Sequence, residues 1–299
     1  MKTLLFTGAS GFLGCNILPI LTEKYRIKTI GLTSNDDLKL NLAFETPLFI
    51  EKFEIVLHAA GKAHSIPKTE EEEKVFFDVN LQGTKNLCVA LEKSGVPEAF
   101  IFISSVAVYG LEYGEEISED SPLRGKTPYA LSKIQAEQFL IDWCEKHNVV
   151  LGIIRPSLIA GPNPPGNLGA MIQGIKSGKY LSIGGGKARK SVLMVEDIAK
   201  LVPLLAEKGG TYNICDSEQP TFRDLEKIIA LQLGKSLPIS ISYKVAKLLA
   251  GLGDLIGNKS PINSSKLDKI TKSLTFSNEK ARKELGWEPT NVLESFKIE

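Results

Sequence analysis

Near the middle of the chain, TPYALSK (residues 127–133) sets a tyrosine four positions before a lysine, one residue after a proline. Positions i and i+4 share a helix face, so the Tyr129 phenol and the Lys133 ammonium would project the same way. A cation there favours the phenolate, drawing the phenol pKa down from about 10 toward the range where it exchanges protons. The same spacing also arises on solvated helices that do no chemistry, so the surrounding chain has to decide. A second stretch, TGASGFLG (7–14), places Gly8, Gly11 and Gly14 between an apolar run and a helical pattern. Glycines in that order allow a tight turn and close approach of backbone to a phosphate, with free N–H donors at the helix start. An ordinary glycine-rich turn has the same composition; its flanking strand and helix favour dinucleotide binding.

The elements that must hold these groups alternate. Apolar runs KTLLFTG (2–8), IKTIGLT (27–33), FEIVLHAAG (53–61), EAFIFISS (98–105) and NVVLGIIRPS (148–157) are separated by helical patterns at 12–24, about 70–94 and 128–147. This predicts an α/β fold with a doubly wound, Rossmann-type parallel sheet covered on both faces. TEEEEK (69–74) reads as a solvated helix start, since acids suit the first turn. Beyond Ile159 the texture turns to proline- and glycine-rich loops, YNICD (212–216) adds one strand, and the last third is helical. The expected division is a dinucleotide domain of residues 1–160 plus about 190–230, and a smaller mixed α/β substrate domain of about 161–189 plus 231–299.

Composition narrows the classes. With 43% hydrophobic and 24% charged residues, the 299-residue chain has material for a sizeable core. A net charge of +1 gives no global pull toward nucleic acid or acidic membranes, so an anionic ligand needs a local site. Cysteines 15, 88, 144 and 215 form no CxxC pair, which argues against a disulfide framework or a metal site and fits a cytoplasmic protein. The amino terminus reads as a buried strand rather than a signal peptide, and no run reaches a membrane span. YKVAKLLAGLGDLIG (243–257) is amphipathic, read as a packed helix ahead of a membrane-surface one. His58 is expected to be structural, and His64 to shape a loop.

TGASGFLG, LHAAG (57–61), NLQGTKNL (80–87), SSVAVYG (104–110), YALSK (129–133), RPSLIAGP (155–162), GGGKARKSVLMVED (184–197) and NEKARKELGWEP (278–289) together resemble the extended short-chain dehydrogenase/reductases. More narrowly, they resemble the nucleotide-sugar epimerase, dehydratase and ketoreductase branch. The resemblance implies a catalytic Ser105, Tyr129 and Lys133, with Ser104 as the fallback serine. It implies NAD(P) contacts from Gly8, Ser10, Gly11, Phe12, Leu13, Gly14, Ala60, Gly61, Asn80, Pro156 and Ser157, as well as from Tyr129 and Lys133. Ser105, Asn167 and Leu168 would meet the nucleotide-sugar substrate, with Arg189 or Lys190 at its diphosphate. A homodimer is common in the resembled family.

Departures from the pattern carry information. The second strand closes on Thr33 where an acid often binds the adenosine ribose, so NADP(H) is mildly preferred over NAD(H). Asn41 replaces the usual aspartate beside the adenine, and Leu158 replaces an asparagine. Dehydratases of this branch carry Asp-Glu after the active serine; Val106 and Ala107 stand here, leaving a 4-epimerase slightly ahead of a 4-ketoreductase. Surface-polysaccharide sugar synthesis in bacteria is the expected setting. Non-catalytic NAD(P)-binding regulators on the same fold are the alternative, but they lose the tyrosine or lysine.

Overall fold

The computed structural model describes residues 1–63, 65–256 and 263–298; His64 and the last position of the 243–257 segment lie outside them. The first half runs β1 (Thr3–Thr7), α1 (Phe12–Thr22), β2 (Arg26–Gly31), β3 (Leu38–Lys39), β4 (Ile55–His58), α2 (Glu70–Phe77), α3 (Gly83–Ser94), β5 (Ala99–Ile103), β6 (Gly114–Ile117), α4 (Pro128–His147) and β7 (Val150–Pro156). There follow β8 (Leu158–Ala160), α5 (Gly166–Lys176), β9 (Ser182–Ile183), β10 (Val192–Met194), α6 (Glu196–Lys208) and β11 (Gly210–Ile214). The tail holds α7 (Phe222–Gln232), β12 (Ser240–Ile241), α8 (Tyr243–Ile256), α9 (Ser264–Thr271), β13 (Leu274–Phe276), α10 (Glu279–Leu285) and α11 (Val292–Ser295).

Seven strands make one parallel sheet in the order β11–β7–β5–β4–β1–β2–β3. Strand order reverses about β1, which opens a crevice at the carboxyl ends of β1 and β4 where α/β sheets bind ligands. Every residue of β4 and β5 is buried because helices cover both faces. Alternate side chains supply two cores: Leu4, Phe6, Leu57 and Ile101 pack with α1 and α6, while Leu5, Val56, Phe100 and Phe102 pack with α3 and α4. Each such fully buried side chain stabilises the fold by roughly 1.5–3 kcal/mol.

A third core joins α5, α7 and α11 against β10. The division expected near residue 230 therefore separates α7 from the cluster it packs in. Helix α10, assigned to the outer domain, instead returns Ala281 and Leu285 to the core under the main sheet. Helices α2 and α3 are joined by a π-helical turn, Asp78–Gln82, so the expected helix over 70–94 is continuous but widened in its middle. Among the described residues no helix is long and apolar enough to cross a membrane.

Candidate active site

The glycine loop follows β1 directly. Gly8 lies at φ +79°, and a Cβ there would come within 2.6 Å of the Ala60 backbone nitrogen. One on Gly14 would fall 2.4 Å from backbone atoms of Ala9 and Gly8, so both positions require glycine. Gly11 caps α1 without any side-chain hydrogen bond, leaving the helix's first N–H groups pointed at the crevice. Phe12 and Leu13 pack on the core beneath, and Ser10 stays exposed at the rim.

A buried polar chain ties this loop to the wide turn between α2 and α3. Ala60 N–H donates to Thr7 Oγ1 (3.2 Å), which lies 2.6 Å from His58 Nδ1. His58 Nε2 is 2.9 Å from Thr84 Oγ1, and that hydroxyl donates to the Asn80 carbonyl (2.7 Å). Satisfying these contacts together assigns His58 as the neutral Nε2–H tautomer. Burial pushes its pKa down to about 3, with the Lys133 charge adding to the effect, so His58 is structural as expected. Asn80 in turn accepts from Lys62 N–H (2.7 Å) and donates to Ser132 Oγ (2.9 Å). Gly61 completes the corner: a Cβ there would stand 3.0 Å from Asn80 Oδ1 and 3.2 Å from Lys133 Nζ.

Helix α4 brings in the tyrosine and lysine. Thr127 caps it through Ala130 N–H (3.2 Å), Pro128 opens its first turn, and Asn148 closes it in the left-handed region. Lys133 is buried; its ammonium donates to the Ile103 carbonyl (2.8 Å) and lies 4.6 Å from the centre of the Phe102 ring. Burial lowers its pKa to about 8, against the attraction of Glu137 one turn on. The Tyr129 ring packs edge-on against Phe76 at 6.3 Å. Burial raises the Tyr129 pKa, and the hydrogen bond with Ser105 is what opposes that rise. Thus the lysine expected to depress the phenol is engaged with β5, and Ser105 has that effect here. Ser105 also accepts from Ala107 N–H (3.1 Å), which fixes its rotamer.

Ser104, the fallback serine, points the other way and donates to Glu137. Glu137 forms a forked pair with Arg155 (2.6 and 3.1 Å), whose third contact is the Tyr109 hydroxyl (3.0 Å). Tyr109 donates to Asn213 (2.7 Å). This network locks α4, β5, β7 and β11 together beneath the site. Sequence reasoning missed Glu137, although its place one turn beyond Lys133 was a signal. Past Arg155, Pro156 ends β7, and Ser157 Oγ is buried without a hydrogen-bond partner.

Thr33, where the second strand closes, has a carboxylate folded back onto it. Asp36 Oδ2 accepts from Thr33 N–H (3.0 Å) and Oγ1 (2.7 Å), and its carboxylate would collide with any Cβ on Gly31. Gly8 N–H bonds Ile30 O (3.0 Å), so this acid stands beside the glycine loop. The missing strand-end carboxylate is delivered by a turn three residues later. Asn41 Oδ1 accepts from Ala43 N–H (3.1 Å) and closes a local turn.

The substrate-side residues are less gathered. Asn167 is exposed in the first turn of α5, whereas Leu168 is core. Arg189 donates to the Gln219 carbonyl (2.6 Å) beside a cleft of about 450 Å³ that it lines with Ser217 and Asp224. Lys190 donates instead to the Lys272 carbonyl (3.1 Å), and burial lowers its pKa to about 8. The two bases do not converge.

A seven-stranded doubly wound sheet, a glycine loop at its reversal point and a Ser-Tyr-Lys constellation beside it define a dinucleotide-dependent enzyme fold. Residues 4–215 match the NAD dependent epimerase/dehydratase family, and the chain belongs to that family. It is 30% identical to the N-acetyl-alpha-D-glucosaminyl-diphospho-ditrans,octacis-undecaprenol 4-epimerase of Escherichia coli O157:H7, over 91% of this chain and 86% of the relative. Identity to a UDP-glucose 4-epimerase of Vibrio cholerae is 27%, over 99% and 94%. The fold matches a Pseudomonas aeruginosa structure described as RMD complexed with NADPH at TM-score 0.75 and 22% identity, over 99% and 96% of the two chains. Dehydratases and a reductase of nucleotide-linked sugars also match, and another structure of this fold was solved with NAD.

Proposed function

We propose that the protein acts at C4 of a nucleotide sugar, as a 4-epimerase ahead of a 4-ketoreductase, in making sugars for bacterial surface polysaccharides. The observation that carries this reading is the assembly of Ser105, Tyr129 and Lys133 on prebuilt supports, with apolar Val106 and Ala107 where a dehydratase needs acids. The Escherichia coli relative acts, by its name, on a sugar diphosphate carried by a polyprenol, and the same proton chemistry would serve such a substrate.

The residues present fit a nicotinamide dinucleotide. Gly8, Gly11 and Gly14 with the uncapped start of α1 suit its diphosphate, Gly61 clears space beside Asn80 and Lys133, and the orphaned Ser157 hydroxyl suits its nicotinamide end. When bound, the cofactor would accept or return the hydride at the sugar carbon. Tyr129 gives or takes the proton on the sugar oxygen. Ser105 holds that oxygen and the phenol together. Lys133, with its pKa near 8, grips the ribose and lends positive charge to the same corner. Arg189 or Lys190 meets the substrate diphosphate from the outer lobe built on α5 and α7.

The acid-free strand end of the linear sequence favoured NADP(H). Asp36 reverses that preference toward NAD(H), because its carboxylate suits a ribose 2′-hydroxyl and repels a 2′-phosphate.

The test is a panel of UDP-, GDP- and dTDP-sugars and 4-keto sugars, followed at the reduced-nicotinamide absorbance with products separated by chromatography. Epimerised product without net absorbance change supports the epimerase; stoichiometric loss of reduced cofactor supports the ketoreductase. Binding of cofactor with no turnover of any member would favour a regulator. Titrating NADH and NADPH in the same assay tests Asp36, and tighter NADPH would refute the preference.

A further inference from the structure

Helix α8 turns its small residues inward and its large ones outward. Ala246, Ala250 and Gly253 are buried, and the two alanines pack on Ile183 and Leu267. Val245, Leu248, Leu249 and Leu252 are exposed by 43 to 70% of their surface. At about 100° per residue these four share one stripe, roughly 120° around the helix from the small-residue stripe. Lys244 and Lys247, both exposed, form a third stripe about 120° to the other side. No acid occurs from 243 to 253, and the carboxylate of Asp254 is occupied by the N–H and hydroxyl of Ser264.

The apolar surface does not stop at the helix. The preceding segment exposes Ile239, whose carbonyl accepts from the N–H of Ser182 beside exposed Leu181. Lys187 lies across a cleft of about 320 Å³ from Tyr243, the first residue of α8, and adds a base to the same margin. A single exposed leucine needs no explanation; an apolar stripe edged by bases does. A protein partner or a second copy could cover the leucines, but a second copy would set this acid-free lysine edge against its own like charge. An anionic bilayer surface accounts for both. Apolar side chains sink to the acyl boundary while lysine stems carry their ammonium groups up to the phosphates.

We propose that α8 is a peripheral membrane-docking helix, laying Val245, Leu248, Leu249 and Leu252 into the interface of an anionic phospholipid bilayer with Lys244 and Lys247 at headgroup level. The docking is independent of the reaction assigned above and is tested without turnover. The full chain is co-sedimented with vesicles of phosphatidylglycerol and phosphatidylcholine, and with phosphatidylcholine alone. The wild type should partition onto the anionic vesicles and fall off as salt is raised. Leu248→Ser/Leu252→Ser should weaken that partition on the order of tenfold or more. Lys244→Gln/Lys247→Gln should weaken it about fivefold per lysine. Melting temperature and cofactor titration of each variant confirm that the fold is intact. A wild type that stays in the supernatant overturns the proposal. So does an apolar variant that binds vesicles normally, and a simultaneous drop from dimer to monomer would make the face a contact between copies.

Discussion

In one bank of residues, beside α4, Asn80, Lys133 and Ser105 each hold two or more hydrogen-bonded or ring contacts within the protein, and Glu137 and Arg155 brace them from below. In the other, the neighbours Arg189 and Lys190 part company, each resting on one backbone carbonyl more than 50 residues apart in sequence. The first bank has its geometry before any ligand arrives. The second has charge without convergence, so the diphosphate contact proposed for it would take shape only when the substrate arrives. The difference separates chemistry, which demands fixed atoms, from recognition, which tolerates adjustment.

The comparison breaks most sharply at Tyr129. Tyr129→Phe keeps the ring against Phe76 and removes the proposed proton carrier, so kcat should fall about 10²- to 10⁴-fold while cofactor titration is unchanged. Turnover near the wild-type rate would falsify the assignment. Next comes the bracing: Glu137→Ala strands the buried Arg155 guanidinium and should cost about 3–5 kcal/mol in urea unfolding. A loss under about 1 kcal/mol, the level of an exposed pair, would mean the bank is not held this way.

Acid should probe the same bank more gently. Between pH 6.5 and about 3 the unfolded chain protonates His58 while the folded chain refuses, so stability falls as pH drops through that window. From pH 7 to pH 5 the histidine's share is about 2 kcal/mol, read as the extra fall in urea-unfolding free energy of the wild type over that of His58→Gln. The smallest effects belong to the other bank. Arg189→Gln/Lys190→Gln should raise KM with cofactor titration unchanged, and the two single variants should show which base carries the effect. An unaltered KM in the double variant would place the diphosphate elsewhere.

Local chemistry was legible in the sequence. Glycines in a βα turn, a Thr-Pro helix start and runs such as AFIFI dictate their own conformation, so the sheet, α4 and the Tyr129–Lys133 face follow from neighbours along the chain. What needed three dimensions was hidden. Asp36 reaches the strand end only because its turn folds back onto Thr33 and Gly31. The Glu137–Arg155–Tyr109 brace gathers three segments, and adjacency of Arg189 and Lys190 says nothing about where their side chains go. The periodicity of 243–257 announces three stripes on α8 but not which one the protein buries.

The π turn at Asp78–Gln82 acts as a phase shifter. It holds one residue more than an α turn, so a single deletion there would rotate everything beyond it by about 100°. With the turn in place, one continuous helix presents Phe76 to Tyr129 at one end, turns Leu87 and Leu91 into the sheet at the other, and aims Asn80 and Thr84 into the polar chain between. A chain one residue shorter would keep nearly the same composition and helicity yet point its asparagine away from Lys62 and Ser132. In this stretch the count of residues carries as much information as their identity.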